Sequence, residues 1–304
     1  PRRVRLNIAG AEIAAPAGWG WKTPGLSIEV DPLAPRELWL NLFGQQDVRL
    51  PPGWGIDHLT AQAERLSAEL DPGYGAPVGS LIADQLTLRL DGATAEGDAV
   101  HVRSLELVAA PVASTPPSAP LAAAATSRHY SVSLADLVLP VDSQWPLGNR
   151  IAQLAFTAQM TGDLDGGQWP AALVRWRDDG GTIEISNLIL AYASLGASGD
   201  GTIALDRAGE PIGAFALQIS GLPETLRQLA DKGMISPLVA AGASLVFRPA
   251  KGRDKTGTAA AGTAPLSVPV SVQDRKLYIG PLAIARMPSP PWVPLPAPPP
   301  APAP

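Results

Sequence analysis

Apolar side chains alternate with polar or small ones along most of this chain, and a two-residue period predicts β-strands. Between residues 181 and 220 the alternation predicts a three-stranded meander, with a β-bulge where the pattern slips by one residue at Asn187. The apolar face of this meander should hold nine side chains, namely Ile183, Ile185, Leu188, Leu190, Ile203, Leu205, Phe215, Leu217 and Ile219.

Turn-forming residues separate these strands. Ser198–Gly201 predicts a tight hairpin, because Gly and Asp tolerate a positive φ. Arg207–Gly213 predicts the second turn of the meander, and Asp274–Lys276 the turn of a final hairpin.

The same alternation recurs elsewhere and raises the expected number of strands to about twelve to fourteen. One apolar, buried face and one polar, solvent-exposed face on each strand is typical of antiparallel sheets. We therefore expect a mainly β fold, with antiparallel, meander-connected curved sheets arranged as a sandwich or a groove. The further alternating segments are Leu26–Val30, Leu38–Leu42, Val48–Leu50, Leu86–Leu90, Val100–Val102, Val132–Leu134, Leu154–Phe156, Val270–Val272 and Leu277–Ile279.

Helical signals are few. Residues 223–233 carry leucines at helical spacing, a proline in the first turn and a terminal glycine, which predicts one short helix. Residues 57–70 fit a helix by one spacing and a strand by another, so both remain open.

Proline-rich and small-residue stretches divide the chain. Residues 109–127 read as a linker or long loop rich in Pro, Ala and Ser, between a β-rich part at 1–108 and a second at 128–287. Residues 251–264 form a polar loop in the second part, and the proline-rich tail at 288–304 predicts disorder with polyproline II character.

Charge and composition exclude several classes of function. The 304 residues include 23 Lys+Arg and 28 Asp+Glu, a net charge of -5, so nucleic acid is not an expected partner. There is no Cys, which excludes disulfides and thiolate metal sites. No stretch is long and apolar enough to span a membrane, but alternation is already under way at Val4, so we expect a signal peptide or anchor upstream.

A search for catalytic or metal-binding patterns returns little. His58, His101 and His129 lack neighbouring ligands, and Asp163–Gly167 resembles the start of a calcium loop without its later ligands. Glu106 and Glu184 could pair across a groove, as glycoside hydrolysis requires. We expect no metal, no cofactor and no enzymatic activity.

Tryptophan is unusually frequent, with eight Trp against four Phe and four Tyr. Indoles can close the ends of a sheet core, or they can line the rim of a ligand site or membrane interface. The candidates for such a rim are Trp19, Trp21, Trp39 and Trp176, of which Trp19 and Trp21 should share one face of a strand.

Three blocks of sequence resemble one bacterial family, the domain of unknown function 2125. They are the opening RRVRLNIAGAEIAAPAGWGWKTPGLSIEVDPLAPRELWLNLFGQQDVRLPPGW, the segment from VRWRDDGGTIEISNLIL to LPETLRQLADKGMI, and the closing PVSVQDRKLYIGPLAIARMP. The resemblance implies an N-terminal membrane helix followed by a β-rich body in the cell envelope, and it brings no catalytic residues. The middle block is also similar to strand-rich segments of AsmA-type envelope proteins, which implies a curved sheet with an apolar groove for lipid.

A wide sheet with one apolar face must cover that face. Leaving 1,000 Å² of apolar surface in water would forgo about 25 kcal/mol, more than the net stability of a typical domain. This requirement favours a protein that binds or conducts lipid or another amphiphile along the sheet. With the location that the resemblance implies, the leading hypothesis is such a protein in the envelope, in the periplasm and anchored in the inner membrane. The alternatives are a structural scaffold that binds other envelope proteins and, third, a hydrolase acting on an envelope carbohydrate.

Overall fold

The computed structural model describes residues 3–15, 18–50, 57–71, 78–91, 99–111, 128–140, 147–162, 164, 171–236, 265–287 and 289–290. These residues form sixteen β-strands and two α-helices. The strands are β1 (Val4–Ala14), β2 (Gly20–Asp31), β3 (Ala34–Phe43), β4 (Gln46–Arg49), β5 (His58–Gln62), β6 (Arg65–Asp71), β7 (Val78–Asp91), β8 (Ala99–Pro111), β9 (Arg128–Val138), β10 (Arg150–Thr161), β11 (Thr182–Tyr192), β12 (Leu195–Leu205), β13 (Pro211–Ser220), β14 (Leu266–Gln273), β15 (Lys276–Ile279) and β16 (Leu282–Arg286). The helices are α1 (Ala171–Asp178) and α2 (Leu222–Asp231).

All sixteen strands belong to one antiparallel sheet. β3 and β4 are two parts of one line, since both pair with β2, and β5 and β6 are two parts of the next, since both pair with β7. Counted this way, the sheet is a meander of fourteen lines in chain order. The structure confirms the predicted mainly β, antiparallel and meander-connected fold, and the 57–70 segment is strand.

A line of backbone irregularities, which we call the seam, crosses the first eight lines of the sheet. Left-handed residues occur on every second line, while the residues opposite them on the intervening lines keep a negative φ. The left-handed residues of the seam are Gly10 (φ 70°), Gly44 (φ 73°), Gln85 (φ 52°) and Asp136 (φ 50°). The lines between them cross the seam at Pro24, Glu64, Arg103 and Ala152.

The seam shifts the alternation of side chains by one residue while the strand register is kept. Residues three apart in a regular strand lie on opposite faces. Here such residues belong to one apolar cluster, with one member on each side of the seam: Ala63 and Leu66, Ala83 and Leu86, Val102 and Leu105, and Leu134 and Leu137. The apolar face is therefore continuous across the seam, and irregularities of this kind bend strands and increase their twist.

Polar contacts hold the seam on both sides of the sheet. Gln46 is buried, and its Nε2 donates to the carbonyls of Phe43 and Gly44 while its Oε1 accepts from Trp21 Nε1. Further along, the carboxylate of Asp136 accepts from Arg103 Nε and, at 2.8 Å, from Arg150 Nη2 on the two neighbouring strands. These hydrogen bonds from the two arginines lower the pKa of Asp136.

The helix α2 forms where the sequence predicts it. Its leucines at 222, 226 and 229 pack on strands β12–β14. The helix ends at Gly233 (φ 69°), where the Gly233 N–H donates to the Ala230 carbonyl and the Met234 N–H to the Leu229 carbonyl, the usual glycine-terminated arrangement.

Two local features differ from expectation. The structure has a second helix, α1, in a segment where no helix is expected. The predicted hairpin at Ser198–Gly201 is wrong, because β12 runs straight through it and the chain turns at Ala193–Ser194 instead. Gly199 and Gly201 are required by close contacts: a Cβ on Gly201 would lie 2.1 Å from the Phe215 ring, and one on Gly199 2.1 Å from the Ala216 carbonyl oxygen.

Other predicted features are confirmed or lie outside the described residues. The Asn187 bulge is present, with φ 52° and a register shift between Ile185 and Leu188, and Asp274 and Arg275 form a two-residue turn with positive φ. That turn joins β14 to β15 and is followed by β16. Strand β8 extends to Pro111, three residues into the predicted 109–127 loop. The rest of that loop, the 251–264 loop and nearly all of the 288–304 tail lie outside the described residues.

We expect Leu226→Ala to reduce the free energy of unfolding by about 2–5 kcal/mol, because Leu226 is 1% exposed beneath α2. Arg227→Ala is the matched control on the exposed side of the same helix and should change stability by less than about 1 kcal/mol. Urea unfolding measures both. Equal losses in the two variants would contradict the packing of α2 on the sheet.

Asp136→Asn should lower the urea midpoint at pH 7 and change it little in acid. The pKa of Asp136 is lowered in the folded state, so its contribution is present above the unfolded-state value of about 3.9 and is lost as pH falls through the folded-state value. Midpoints of parent and variant at pH 7 and at about pH 2 test the sign. A difference that is larger in acid would contradict it.

Candidate functional site

Two helices cover part of the apolar face of the sheet. Helix α1 packs Leu173 and Trp176 on Met160, with Ile183 and Leu205 beside them. Helix α2 covers a second area over β12–β15. Both helices therefore lie on the same face, at the C-terminal half of the sheet.

The structure places the predicted apolar-face residues on this covered side. Leu217 and Ile219 are buried under α2, and Leu188, Leu190 and Phe215 pack around that cluster. Ile185 and Ile203 are half-buried, in register with the others. The strand pattern thus identifies the correct face, but much of it serves as the core beneath the helices.

The tryptophans predicted as a rim do not form one group. Trp176 is 3% exposed in the core, where its Nε1 donates to the Thr161 carbonyl at 2.8 Å, so it lies at no rim. Trp39 faces the polar side of the sheet, with the Arg3 guanidinium 3.7 Å from its ring centre. Trp21 is half-buried on the apolar side, and Trp19, 42% exposed, precedes β2. A rim formed by Trp19 and Trp21 stays a prediction.

The apolar face continues over strands β5–β9, where every described contact of the cluster comes from the sheet itself. Ala83, Leu86 and Val102 form a buried floor at the seam. The side chains around the floor are only half-buried, although they lie on interior strands: Ala61, Ala63, Leu66, Leu88, Val100, Leu105, Leu134 and Leu137. We call these eleven residues the seam groove. Its lining is aliphatic throughout.

The apolar face extends from the seam groove to the first strand. Ile28, Val30, Leu38 and Leu40 are half-buried on β2 and β3. Leu6, opposite Ile28 on β1, is 57% exposed. Burial therefore decreases from the helix-covered half of the sheet toward β1.

The opposite face carries an open depression of about 630 Å³. A row of polar side chains crosses it in register, from His129 through Gln159 and Glu184 to Thr202. Small residues at 201, 214 and 216 leave space beside this row, and Asp200 lies in the next row, where its Oδ1 accepts from the Asn187 N–H at 3.0 Å.

This depression brings together Glu184, Asp200 and His129, but it is open and most of its polar side chains are exposed. General acid–base catalysis usually relies on a site that excludes water. Glu106, which the sequence suggests as a partner for Glu184, pairs instead with Ser133, four residues along β9 from His129.

The described residues contain no group of three or more side chains suited to a metal ion. His101 Nδ1 lies 3.0 Å from Thr87 Oγ1, on the polar face. The Asp163–Gly167 segment falls almost entirely outside the described residues. In the described part of the chain, neither helix has the length and apolar character needed to cross a bilayer.

The fold defines the chain as a β-rich protein built on one large antiparallel meander, with two short helices on its apolar face. A family model described as "Uncharacterized protein conserved in bacteria (DUF2125)" matches residues 1–288. The chain belongs to this family, which confirms the resemblance seen in the sequence. Neither the curated proteins nor the solved structures gave a match, so the likeness to AsmA-type proteins stays a prediction.

Proposed function

We propose that this protein is a non-enzymatic binder of lipid or a similar amphiphile, with the seam groove as its binding surface. The observation that carries the proposal is the half-burial of aliphatic side chains on interior strands, beyond the area that α1 and α2 cover. Soluble proteins rarely leave large contiguous apolar patches exposed unless the patch has a ligand or partner.

The chemistry of the lining favours an acyl chain over other ligands. Leu, Val and Ala side chains form the seam groove, with no polar group among the eleven. The polar groups of a polar ligand would find no hydrogen-bonding side chain in the seam groove, and each unpaired group would cost about 1–3 kcal/mol. A hydrocarbon chain needs only apolar contact and tolerates low specificity.

The shape of the sheet suits an elongated ligand. Thirteen intervals between fourteen lines, at about 4.8 Å each, make the sheet about 60 Å wide. The apolar residues form a band along this direction, at right angles to the strands. An acyl chain lying in the band would contact several strands at once.

The proposal extends to the cellular location of the protein. An amphiphile binder of this kind would act in the cell envelope, in the periplasm, held at the inner membrane by an anchor on the N-terminal side of β1. This placement rests on the family resemblance and on the apolar groove.

A second candidate role is a scaffold that binds other envelope proteins. It is favoured by the exposed edge of the sheet at β1, where Val4 is 61% and Leu6 57% exposed. Such a role would use the edge of the sheet rather than its apolar face, and the two roles are compatible.

Lipid bound to the purified protein tests the main proposal. Organic extraction and mass spectrometry of the parent should recover phospholipid or fatty acid in a reproducible ratio to protein. Leu134→Lys, which places a charge in the seam groove, should reduce that ratio several-fold. Ser133→Lys is the matched control, since Ser133 is the adjacent residue of β9 and lies exposed on the opposite face.

Circular dichroism establishes that both variants keep their strand content. If Leu134→Lys does not fold, Leu105→Gln serves as a milder change in the same groove. A parent protein that yields no lipid over several preparations would overturn the proposal. Equal lipid retention by folded Leu134→Lys and Ser133→Lys would overturn the assignment to the seam groove.

A further inference from the structure

The first strand is a long, exposed edge of the sheet. β1 spans eleven residues, and among the described strands it pairs with β2 alone. Val4, Leu6 and Ile13 are 61%, 57% and 47% exposed. The edge at the other end, β16, has only five residues. The sheet is therefore terminated asymmetrically, with its longer edge at β1.

Before the seam residue Gly10, the first half of β1 lacks the features that usually prevent edge strands from pairing. Natural edges are blunted by Pro, by Lys or by shortness. No Pro or Lys occurs in β1, and the charge of Arg5 is directed back to β2, where its Nη2 lies 2.6 Å from Glu29 Oε1. The outer backbone groups of β1 can accept a further strand.

We propose that β1 pairs antiparallel with β1 of a second copy of this chain, about a twofold axis at Leu6. The proposal is independent of the lipid-binding function, because it uses the edge of the sheet and not the seam groove. A twofold of this kind makes the contact self-complementary, as in most homodimers.

The alternation of β1 selects the register. In antiparallel pairing, directly opposed residues lie on the same face, so the twofold axis must pass beside a residue and not between two residues. That residue must lie in the regular segment before Gly10, because the seam crosses β1 at Gly10. Centring on Leu6 opposes Leu6 to itself, Val4 to Ile8 and Arg5 to Asn7. All apolar residues of the segment then meet apolar residues.

The neighbouring registers are worse. Centring on Arg5 opposes two arginines directly, which is destabilising. Centring on Asn7 opposes Val4 to Gly10, the left-handed residue of the seam, and loses one apolar pair. The Leu6 register alone opposes three apolar pairs, opposes no like charges and leaves Gly10 outside the paired segment.

Pairing at this edge would join the apolar faces of two copies. Val4, Leu6 and Ile8 lie opposite Val30, Ile28 and Leu26 of β2, so they continue the apolar face of the sheet. A contact of five residues on each strand, from Val4 to Ile8, is small compared with stable interfaces. We therefore expect a dimer that dissociates on dilution.

Cysteine crosslinking tests the register, and the chain has no native Cys to interfere. Opposed residues in antiparallel strands have Cα atoms about 4.5–5.5 Å apart, within the range for a disulfide. Under mild oxidation of the full chain, Leu6→Cys should form a covalent dimer. Val4→Cys alone should form little, and the Val4→Cys/Ile8→Cys double variant should crosslink efficiently.

Charge variants at Asn7 test the same register without crosslinking. Asn7→Glu places a carboxylate opposite Arg5 at two symmetric positions and should strengthen the dimer, whereas Asn7→Arg opposes arginines and should weaken it. Each change should shift the dissociation constant by about 2- to 30-fold in sedimentation velocity. Asn7 is exposed, so both variants should fold.

A chain that remains monomeric at every concentration, or Leu6→Cys that gives no covalent dimer, would overturn the proposal. Efficient crosslinking of Val4→Cys alone, with weak crosslinking of Leu6→Cys, would overturn the register. Equal dissociation constants for Asn7→Glu and Asn7→Arg would do the same.

Discussion

The requirement that one face of a very wide sheet stay out of water governs this structure. Each line hydrogen-bonds to its neighbours in chain order, so the backbone of the interior lines is satisfied by local connections alone. These connections do not cover the apolar side chains, because a flat sheet of this width would expose its whole apolar face to water. Two short helices cover part of the C-terminal half, and over β5–β9 the apolar residues on both sides of the seam pack into one cluster.

The seam shows how a change of side-chain phase within each strand and a continuous apolar face can coexist. A single left-handed residue in one strand would turn all following side chains to the wrong face. Here the change of phase occurs at the same level in every neighbouring line, so Ala83 and Leu86 meet Leu105 and Val102 on one side. The two arginines on Asp136 fix this level on the polar side, across three strands.

Period-two alternation was sufficient to predict the fold class and the apolar face, because a strand's register with its neighbours does not change which side a residue occupies. It also located the bulge at Asn187, where the slip is visible within one strand. It failed at Ser198–Gly201, where glycines make room for Phe215 and the Ala216 backbone instead of turning the chain. That contact is between strands, and the composition of one segment cannot reveal it.

Helix α1 and the seam were missed for different reasons. Leu173 and Trp176 are spaced as on a helix, but a segment of eight residues gives little periodic signal. The seam does leave a trace, since apolar residues three apart recur at 63 and 66, 83 and 86, 102 and 105, and 134 and 137. Within one strand such a pair has no structural meaning of its own. Only the alignment of the strands shows that the pairs mark one seam.

The distribution of cover along the sheet links fold to function. Burial is highest where α1 and α2 pack, intermediate in the seam groove and lowest at β1. Because apolar residues predominate on this face along the whole gradient, the change lies in what covers them. An apolar ligand would gain most where cover is partial and the floor is already dry, which is the groove at the seam. At β1, by contrast, the exposed backbone edge makes another strand the more favourable cover, since it supplies hydrogen bonds as well as apolar contact.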